Sequence, residues 1–243
     1  MNINQIYHGD CLDLLKTIED VSIDCVITDP PYFRVMKVDY KGDKYNWDNQ
    51  WDTFKDYINW CKIWINELNR VVKSDGSIYV FQDDKICAYT QVLFEKVGFH
   101  LVNNIVWVKP NNMPIKGWKS YRCYAPITER ILFFSKYEQE KSNRTFNPSK
   151  NYTDVWTFNM TSSSEKTYHP TQKPIEIIKR IINTSTKEDD LILDLFVGSG
   201  TVPVACKQLK RNWIGSEKEE EYIKVINKRL EQKYSYDYVG DSH

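Results

Sequence analysis

The sequence carries no excess charge: 33 Lys and Arg offset 33 Asp and Glu over 243 residues. A nucleic-acid partner is therefore not favoured by bulk attraction, and only a local basic face could serve one. No Cys-x-x-Cys pair occurs among the cysteines at 11, 25, 61, 87, 123 and 206. They read as reduced, buried, small apolar residues of a cytosolic protein. The histidines at 8, 100, 169 and 243 lack metal-ligand spacing, so no metal site is expected. The opening "MNINQIYHGD" has no signal-peptide core and no apolar run reaches bilayer length, which points to a cytoplasmic protein without a membrane partner. Gly-Lys-Ser/Thr is absent, which excludes a P-loop. Internal repeats and low-complexity tracts are absent as well.

What is present is an alternation of short apolar runs with amphipathic stretches, in a length suited to one α/β domain over 1–243. "NQIYHGD" (4–10), "IDCVITD" (23–29), "SDGSIYVF" (74–81), "DDLILDLF" (189–196) and "NWIGSE" (212–217) read as strands. Several are apolar at nearly every position, as strands covered on both faces are. Helices are expected at 11–18, at 52–72 with Asp52 as N-cap, at 85–97 ended by Gly98, at 174–184, at 201–209 and at 218–230. "HLVNNIVWVK" (100–109) and "TERILFFSK" (128–136) have no helix between them and suit an antiparallel pair at the sheet edge. Residues 33–52 lack periodicity and read as a mobile loop, and 137–168 are polar and weakly patterned.

Two short motifs follow buried strands. "DPPY", Asp29-Pro30-Pro31-Tyr32, puts a carboxylate ahead of two prolines that end the strand and hold the backbone rigid. A plain turn with a packed tyrosine would look the same. "DLFVGSGTV" (194–202) sits where a strand becomes a helix. Gly198 and Gly200 allow a sharp turn and close approach to a ligand, and the helix start offers free N–H groups to an anion. Glu217, about 20 residues on, ends the next strand as a ribose-gripping acid would. The dinucleotide fingerprint fails, because Pro203 stands where a third small residue is needed. A nucleoside bearing a carboxylate, such as S-adenosylmethionine, fits better than a pyrophosphate. In an open parallel sheet both motifs would meet at the strand carboxyl ends if 191–195 and 23–28 are neighbours.

With "HPTQKP" (169–174) and "GSE" followed by Tyr222 added, the chain resembles the amino-group DNA methyltransferases, in the motif order of their β group, DPPY before the glycines. The resemblance covers nearly the whole chain. It implies a Rossmann-like, seven-stranded mixed sheet with circularly permuted motif order, an antiparallel hairpin, and S-adenosylmethionine as cofactor. It also implies methyl transfer to adenine N6 of a flipped DNA base, with cytosine N4 as the alternative and a silent nucleic-acid binder as a third reading. DPPY is commoner among adenine enzymes, SPPY among cytosine-N4 ones, and the NPPY of protein glutamine methylases is absent.

The resemblance also implies roles. Asp29 and the Pro30 carbonyl accept from the target amine, Pro31 stiffens the turn, and Tyr32 stacks on the base. Asp10, beside Cys11, accepts from the cofactor's adenine or caps the following helix. Cofactor contacts are implied for Asp10, Cys11, Asp29, His169, Thr171, Lys173, Asp194, Phe196, Gly198, Ser199, Gly200, Thr201 and Glu217: Gly198, Gly200 and Thr201 surround the methionine portion, His169, Thr171 and Lys173 match a segment near its end, with Lys173 on the carboxylate, and Glu217 binds the ribose. DNA contacts are expected from the 109–127 loop, where Lys109, Lys116, Lys119 and Arg122 interleave with Trp118 and Tyr121, and from 137–168. A homodimer follows from the resemblance alone. A cognate restriction endonuclease is not inferable.

Overall fold

The computed structural model describes residues 2–33, 46–111, 124–138, 141–148, 153–162, 165–167 and 169–232. In chain order the elements are β1 (Gln5–His8), α1 (Cys11–Thr17), β2 (Ile23–Thr28), α2 (Phe54–Val71), β3 (Val72–Gln82), α3 (Cys87–Val97), β4 (His100–Val108), β5 (Thr128–Ser135), β6 (Val155–Thr157), α4 (Ile175–Ser185), β7 (Leu191–Asp194), α5 (Thr201–Gln208), β8 (Asn212–Glu217) and α6 (Glu220–Glu231). The strands form one sheet in the order β1-β8-β7-β2-β3-β5-β4-β6. Seven run parallel, and β5 alone runs against its neighbours β3 and β4.

The sheet thus has eight strands rather than the expected seven. The short β6 pairs with β4, so the antiparallel pair lies one strand in from the edge. β2 and β7 are neighbours, with Cys25 beside Ile192 and Val26 beside Leu193. From β2 the chain proceeds to β3 on one side, and from β7 to β8 on the other. A crevice therefore opens beyond their carboxyl ends, where ligands bind in open sheets of this kind.

Strand periodicity builds two cores. Val26, Ile78, Val80, Leu132, Phe134 and Leu193 face α1, α2 and α3. Their chain neighbours Ile27, Tyr79, Phe81, Ile131, Phe133 and Ile192 face α4 and α5. Helix α2 buries Tyr57, Cys61, Trp64, Ile65, Leu68 and Val71, one apolar stripe at helical spacing. Its N-cap is Thr53, not Asp52. The Thr53 hydroxyl accepts from the Asp56 N–H at 3.2 Å, and the Asp56 carboxylate accepts from the Thr53 N–H at 3.1 Å. That reciprocal capping box satisfies two orphan donors.

The "SDGS" turn lies inside β3 as a bulge. Ile23 pairs with Val72 but Cys25 with Ser77, so residues 73–76 are skipped in the β2–β3 register. Gly98 ends α3 in the left-handed region at φ 104°. The five cysteines among the described residues are all buried thiols.

Candidate active site

The crevice is a cavity of about 360 Å³ whose walls include both motifs, from Asp29, Pro30, Pro31 and Tyr32 on one side to residues 194–199, Thr201 and Glu217 on the other. The two strand ends are stitched together directly. Thr28 Oγ1 donates to Asp194 Oδ1 at 3.2 Å and accepts from the Leu195 N–H at 3.2 Å, and the Phe196 N–H donates to Asp194 Oδ1 at 3.1 Å. Asp194 is 4% exposed. Burial first, then the nearby Asp29 and Glu217 charges, push its carboxyl up to about 8 against those hydrogen bonds.

The glycine turn is held from three sides. Gly198 lies at φ 53° and Gly200, the N-cap of α5, at φ 83°. The Gly198 N–H donates to Glu217 Oε2 at 2.8 Å, while Glu217 Oε1 accepts from the N–H groups of Lys218 and Glu219 at 2.9 and 2.8 Å. Burial raises the Glu217 carboxyl, opposed by these bonds. Buried Arg229 of α6 donates to the Ser199 carbonyl at 2.6 Å. A Cβ on Gly198 would lie 2.9 Å from His169 Nε2, so the imidazole rests on the glycine backbone. That ring contacts Tyr222 edge-on at 4.5 Å and stacks toward Trp47 at 6.3 Å. Burial, then the nearby Lys173 charge, hold His169 down at about 3, so it is neutral near pH 7.

DPPY is pinned by its surroundings. Tyr57 donates from its hydroxyl to the Pro31 carbonyl at 2.9 Å, and the Tyr32 N–H donates to buried Asp48 at 2.8 Å. Residues 46–48 form a 3₁₀ turn and Trp51 is buried in the core, so this end of the expected 33–52 loop is packed against the site. Residues 34–45 lie outside the described residues. The Pro30 carbonyl accepts no hydrogen bond from the described residues.

The Asp29 carboxylate sits in a charge cluster that spans the crevice. The Tyr32 hydroxyl hydrogen-bonds Asp29 Oδ1. Lys173 Nζ lies 2.6 Å from Asp29 Oδ2 and 3.0 Å from Glu129 Oε1. Glu129 Oε1 is also 2.9 Å from the Tyr32 hydroxyl, and its Oε2 meets Lys109 Nζ at 2.5 Å. Burial pushes Asp29 up and Lys173 opposes it. Glu129 is pulled below its ordinary value because two ammonium groups outweigh its burial. Lys173 is raised, since the two carboxylates outweigh its own burial.

Most of the expected residues converge. Asp10 lines the cavity, and its carboxylate caps α1 by accepting from the Leu12 N–H at 2.9 Å. Cys11 beside it is buried and its thiol is raised, burial first, so it stays neutral. Thr171 lies 3.5 Å from His169 Nδ1, and Thr201 Oγ1 donates to the Lys173 carbonyl at 3.3 Å. Phe196 packs on Trp60 at 5.5 Å. Lys173 departs from expectation: its ammonium is paired with Asp29 and Glu129. Lys109 lines the cavity but is engaged with Glu129. Lys116, Trp118, Lys119, Tyr121 and Arg122 lie outside the described residues.

Sequence reasoning missed Glu129 and Asp48 altogether. The available signal for Glu129 was a lone acid at the head of the apolar run "TERILFF". No group of acidic, His or Cys side chains among the described residues could hold a metal ion, and no helix there is long and apolar enough to cross a membrane.

A mixed α/β sheet with a glycine turn and an acid-lined crevice at its switch point defines a Rossmann-like nucleoside-binding enzyme. Residues 23–228 match the family model described as DNA methylase, the N6/N4 methylases. The chain is 34% identical to Type II methyltransferase M.HinfI of Haemophilus influenzae, over 95% of this chain and 69% of that one. It is 37% identical to Type II methyltransferase M2.LlaDCHI of Lactococcus lactis subsp. cremoris, over 95% and 90%. The solved M1.HpyAVI–SAM complex superposes with a TM-score of 0.73 at 32% identity, covering 94% of this chain and 99% of that one. The cytosine-N4-specific PvuII DNA methyltransferase reaches 0.76 at 23% identity over 97% and 88%, which reports the fold alone.

The chain belongs to the N6/N4 DNA methylase family and is an S-adenosylmethionine-dependent DNA methyltransferase. Its crevice fits that cofactor: a tight glycine turn with Gly198 and Gly200 at positive φ leads into the start of α5, and Glu217 at the end of β8 lines the same cavity where a ribose would be gripped.

Proposed function

We propose that this enzyme methylates adenine N6 of a DNA base flipped out of its stack, with Asp29 as the acceptor for the target amine. The observation that carries the reading is the meeting of Asp29 and the Asp194–Gly200 turn in one crevice, across the β2–β7 neighbour pair. S-adenosylmethionine supplies an electrophilic methyl group when bound. Glu217 holds the ribose. Asp194, His169 and the 198–201 turn surround the methionine portion, and Asp10 accepts from the adenine amino group.

An exocyclic amine is a weak nucleophile because its lone pair is shared with the ring. The Asp29 carboxylate and the Pro30 carbonyl accept its two N–H bonds and so localise that lone pair on the face toward the donor. Prolines 30 and 31, the Tyr57 hydroxyl and Asp48 keep both acceptors fixed, and such pre-positioning carries most of the rate. Tyr32 provides a ring for the extruded base, with its hydroxyl tethered at Asp29 and Glu129. Lys109 and Pro126, at either end of the 109–127 segment, line the cavity, which suits that segment to reading DNA, and the resemblance assigns 137–168 to the same task. The resemblance supports work on DNA in the cytoplasm, as a dimer.

Adenine is favoured by the carboxylate of DPPY in place of the hydroxyl of SPPY. Incubation with DNA and labelled S-adenosylmethionine, followed by nucleoside analysis, tests it: N6-methyladenine is expected, and N4-methylcytosine as sole product overturns the assignment. Asp29→Asn keeps the shape but loses one acceptor, and should lower kcat by about 10²- to 10³-fold.

A further inference from the structure

Both oxygens of Asp29 are occupied in the free protein, one by Tyr32 and one by Lys173. A carboxylate so engaged is poorly placed to accept from an incoming amine. The same two partners also reach one oxygen of Glu129, at 2.9 Å from the Tyr32 hydroxyl and 3.0 Å from the Lys173 ammonium. A phenol has a single proton and donates to one carboxylate at a time. Lys173 has three protons but sits 8% exposed, so water is a poor substitute for a lost carboxylate.

We propose that Glu129 is a positioning residue that takes over Lys173 and Tyr32 when the target base enters, and so frees the Asp29 oxygens for its amine. The inference rests on the reading of Asp29 as amine acceptor.

Three features support the hand-over. Glu129 is anchored on its far oxygen by Lys109 at 2.5 Å, which fixes the near oxygen toward the crevice. The cluster holds two carboxylates and two ammonium groups, so exchanging partners within it moves no net charge. Without Glu129, freeing Asp29 would strand a buried ammonium, a strongly unfavourable state. Glu129 lies on β5, far from DPPY in sequence, and has no packing role that requires a charge. Its side chain is 11% exposed and surrounded by its ionic partners.

Glu129→Gln keeps the shape and removes the charge. The groups facing Asp29 are Tyr32 on its own segment, Lys173 before α4, Glu129 on β5 and Asp194 on β7, with Lys109 behind Glu129 and neutral His169 beside Lys173. Loss of Glu129 leaves Lys173 to Asp29 alone, so kcat should fall by about ten- to a hundredfold while cofactor affinity stays within about twofold. Removing a like charge also lowers the Asp29 pKa, so the acid limb of the kcat–pH profile should move to lower pH. Glu129→Asp, which keeps the charge, should restore the position of that limb and part of the rate.

A wild-type kcat overturns the proposal. So does a loss of rate with an unmoved limb, because that is what a merely structural role gives. If Glu129→Gln does not fold, the paired Lys109→Met/Glu129→Gln variant removes one charge of each sign and carries the same expectations. The two readings fail separately. A fully active Asp29→Asn sinks the acceptor role, whereas an inactive Asp29→Asn beside an unaffected Glu129→Gln sinks only the hand-over.

Discussion

Asp194→Asn is expected to stabilise the ligand-free enzyme in a pH-dependent way. Asp194 ends β7, is 4% exposed, and accepts from the Thr28 hydroxyl and the Phe196 N–H through one oxygen. Asparagine has the same shape and can keep both bonds on its carbonyl oxygen. What it loses is a titration. In the folded protein burial holds the Asp194 proton to about pH 8, while an unfolded chain releases it near pH 4. Between those values the folded state binds more protons, so wild-type stability is full below the unfolded pKa and falls as pH rises toward 8. One proton corresponds to about 1.4 kcal/mol per pH unit, or about 3 kcal/mol between pH 5 and 7 as an upper bound. For a domain of this size that is roughly 5–10 °C in Tm. Asparagine does not titrate and escapes the loss. Thermal melts of both proteins from pH 5 to 8, without cofactor, should show the gap favouring the variant smallest at pH 5 and widening as pH rises. A gap that stays flat, or a variant less stable at pH 8, would refute the assignment of a buried, proton-holding acid at this strand end.

Two further substitutions separate the site from its scaffold. In Gly215→Ala a Cβ would press on Val197 Cγ2 and lie 2.7 Å from the Asp194 carbonyl oxygen. Overpacking of about 1–3 kcal/mol should lower Tm by several degrees, and displacement of the crevice wall should weaken S-adenosylmethionine binding measured by calorimetry. Thr53→Ala removes the capping box of α2 and should cost about 1 kcal/mol in denaturant unfolding, with the methylation rate unchanged because Thr53 is remote from the crevice chemistry.

The parts of the fold legible in the sequence are those set by local pattern. Strands β2, β7 and β8 are short apolar runs closed by an acid or a proline, and no helical spacing competes with them. Asp29 and the 198–200 turn could be paired before any coordinates because parallel strands present their carboxyl ends together. Helix α2 was legible from its stripe, but its cap was read one residue early: Asp52 and Thr53 are both good caps, and only Asp56 answering Thr53 decides between them. The pairing of Lys173 with Asp29 and Glu129 was illegible for a different reason. The Lys173 segment has no regular structure, so the direction of its ammonium depends on two carboxylates 44 and 144 residues away in the chain.

Glu129 was illegible because its place depends on register and strand direction at once. In the β4–β5 pair Thr128 lies opposite Val108 and Glu129 opposite Trp107, which brings Lys109, just past β4, against Glu129. Among the described residues, strand β5 is also the only strand that runs backwards. Strands β2, β3, β4, β7 and β8 reach the crevice with their last residues, whereas β5 reaches it with its first. A charge at the head of an apolar strand ordinarily marks the solvent end, away from a site built at strand carboxyl ends. Reversal of this one strand turns that end toward the crevice, so an acid and the two ends of the 109–127 segment arrive at the same rim. A sheet with β5 parallel would present Ser135 there instead, and Lys173 would have Asp29 as its sole carboxylate. The reversed strand is thus what allows a second carboxylate to share the ammonium and the phenol with Asp29.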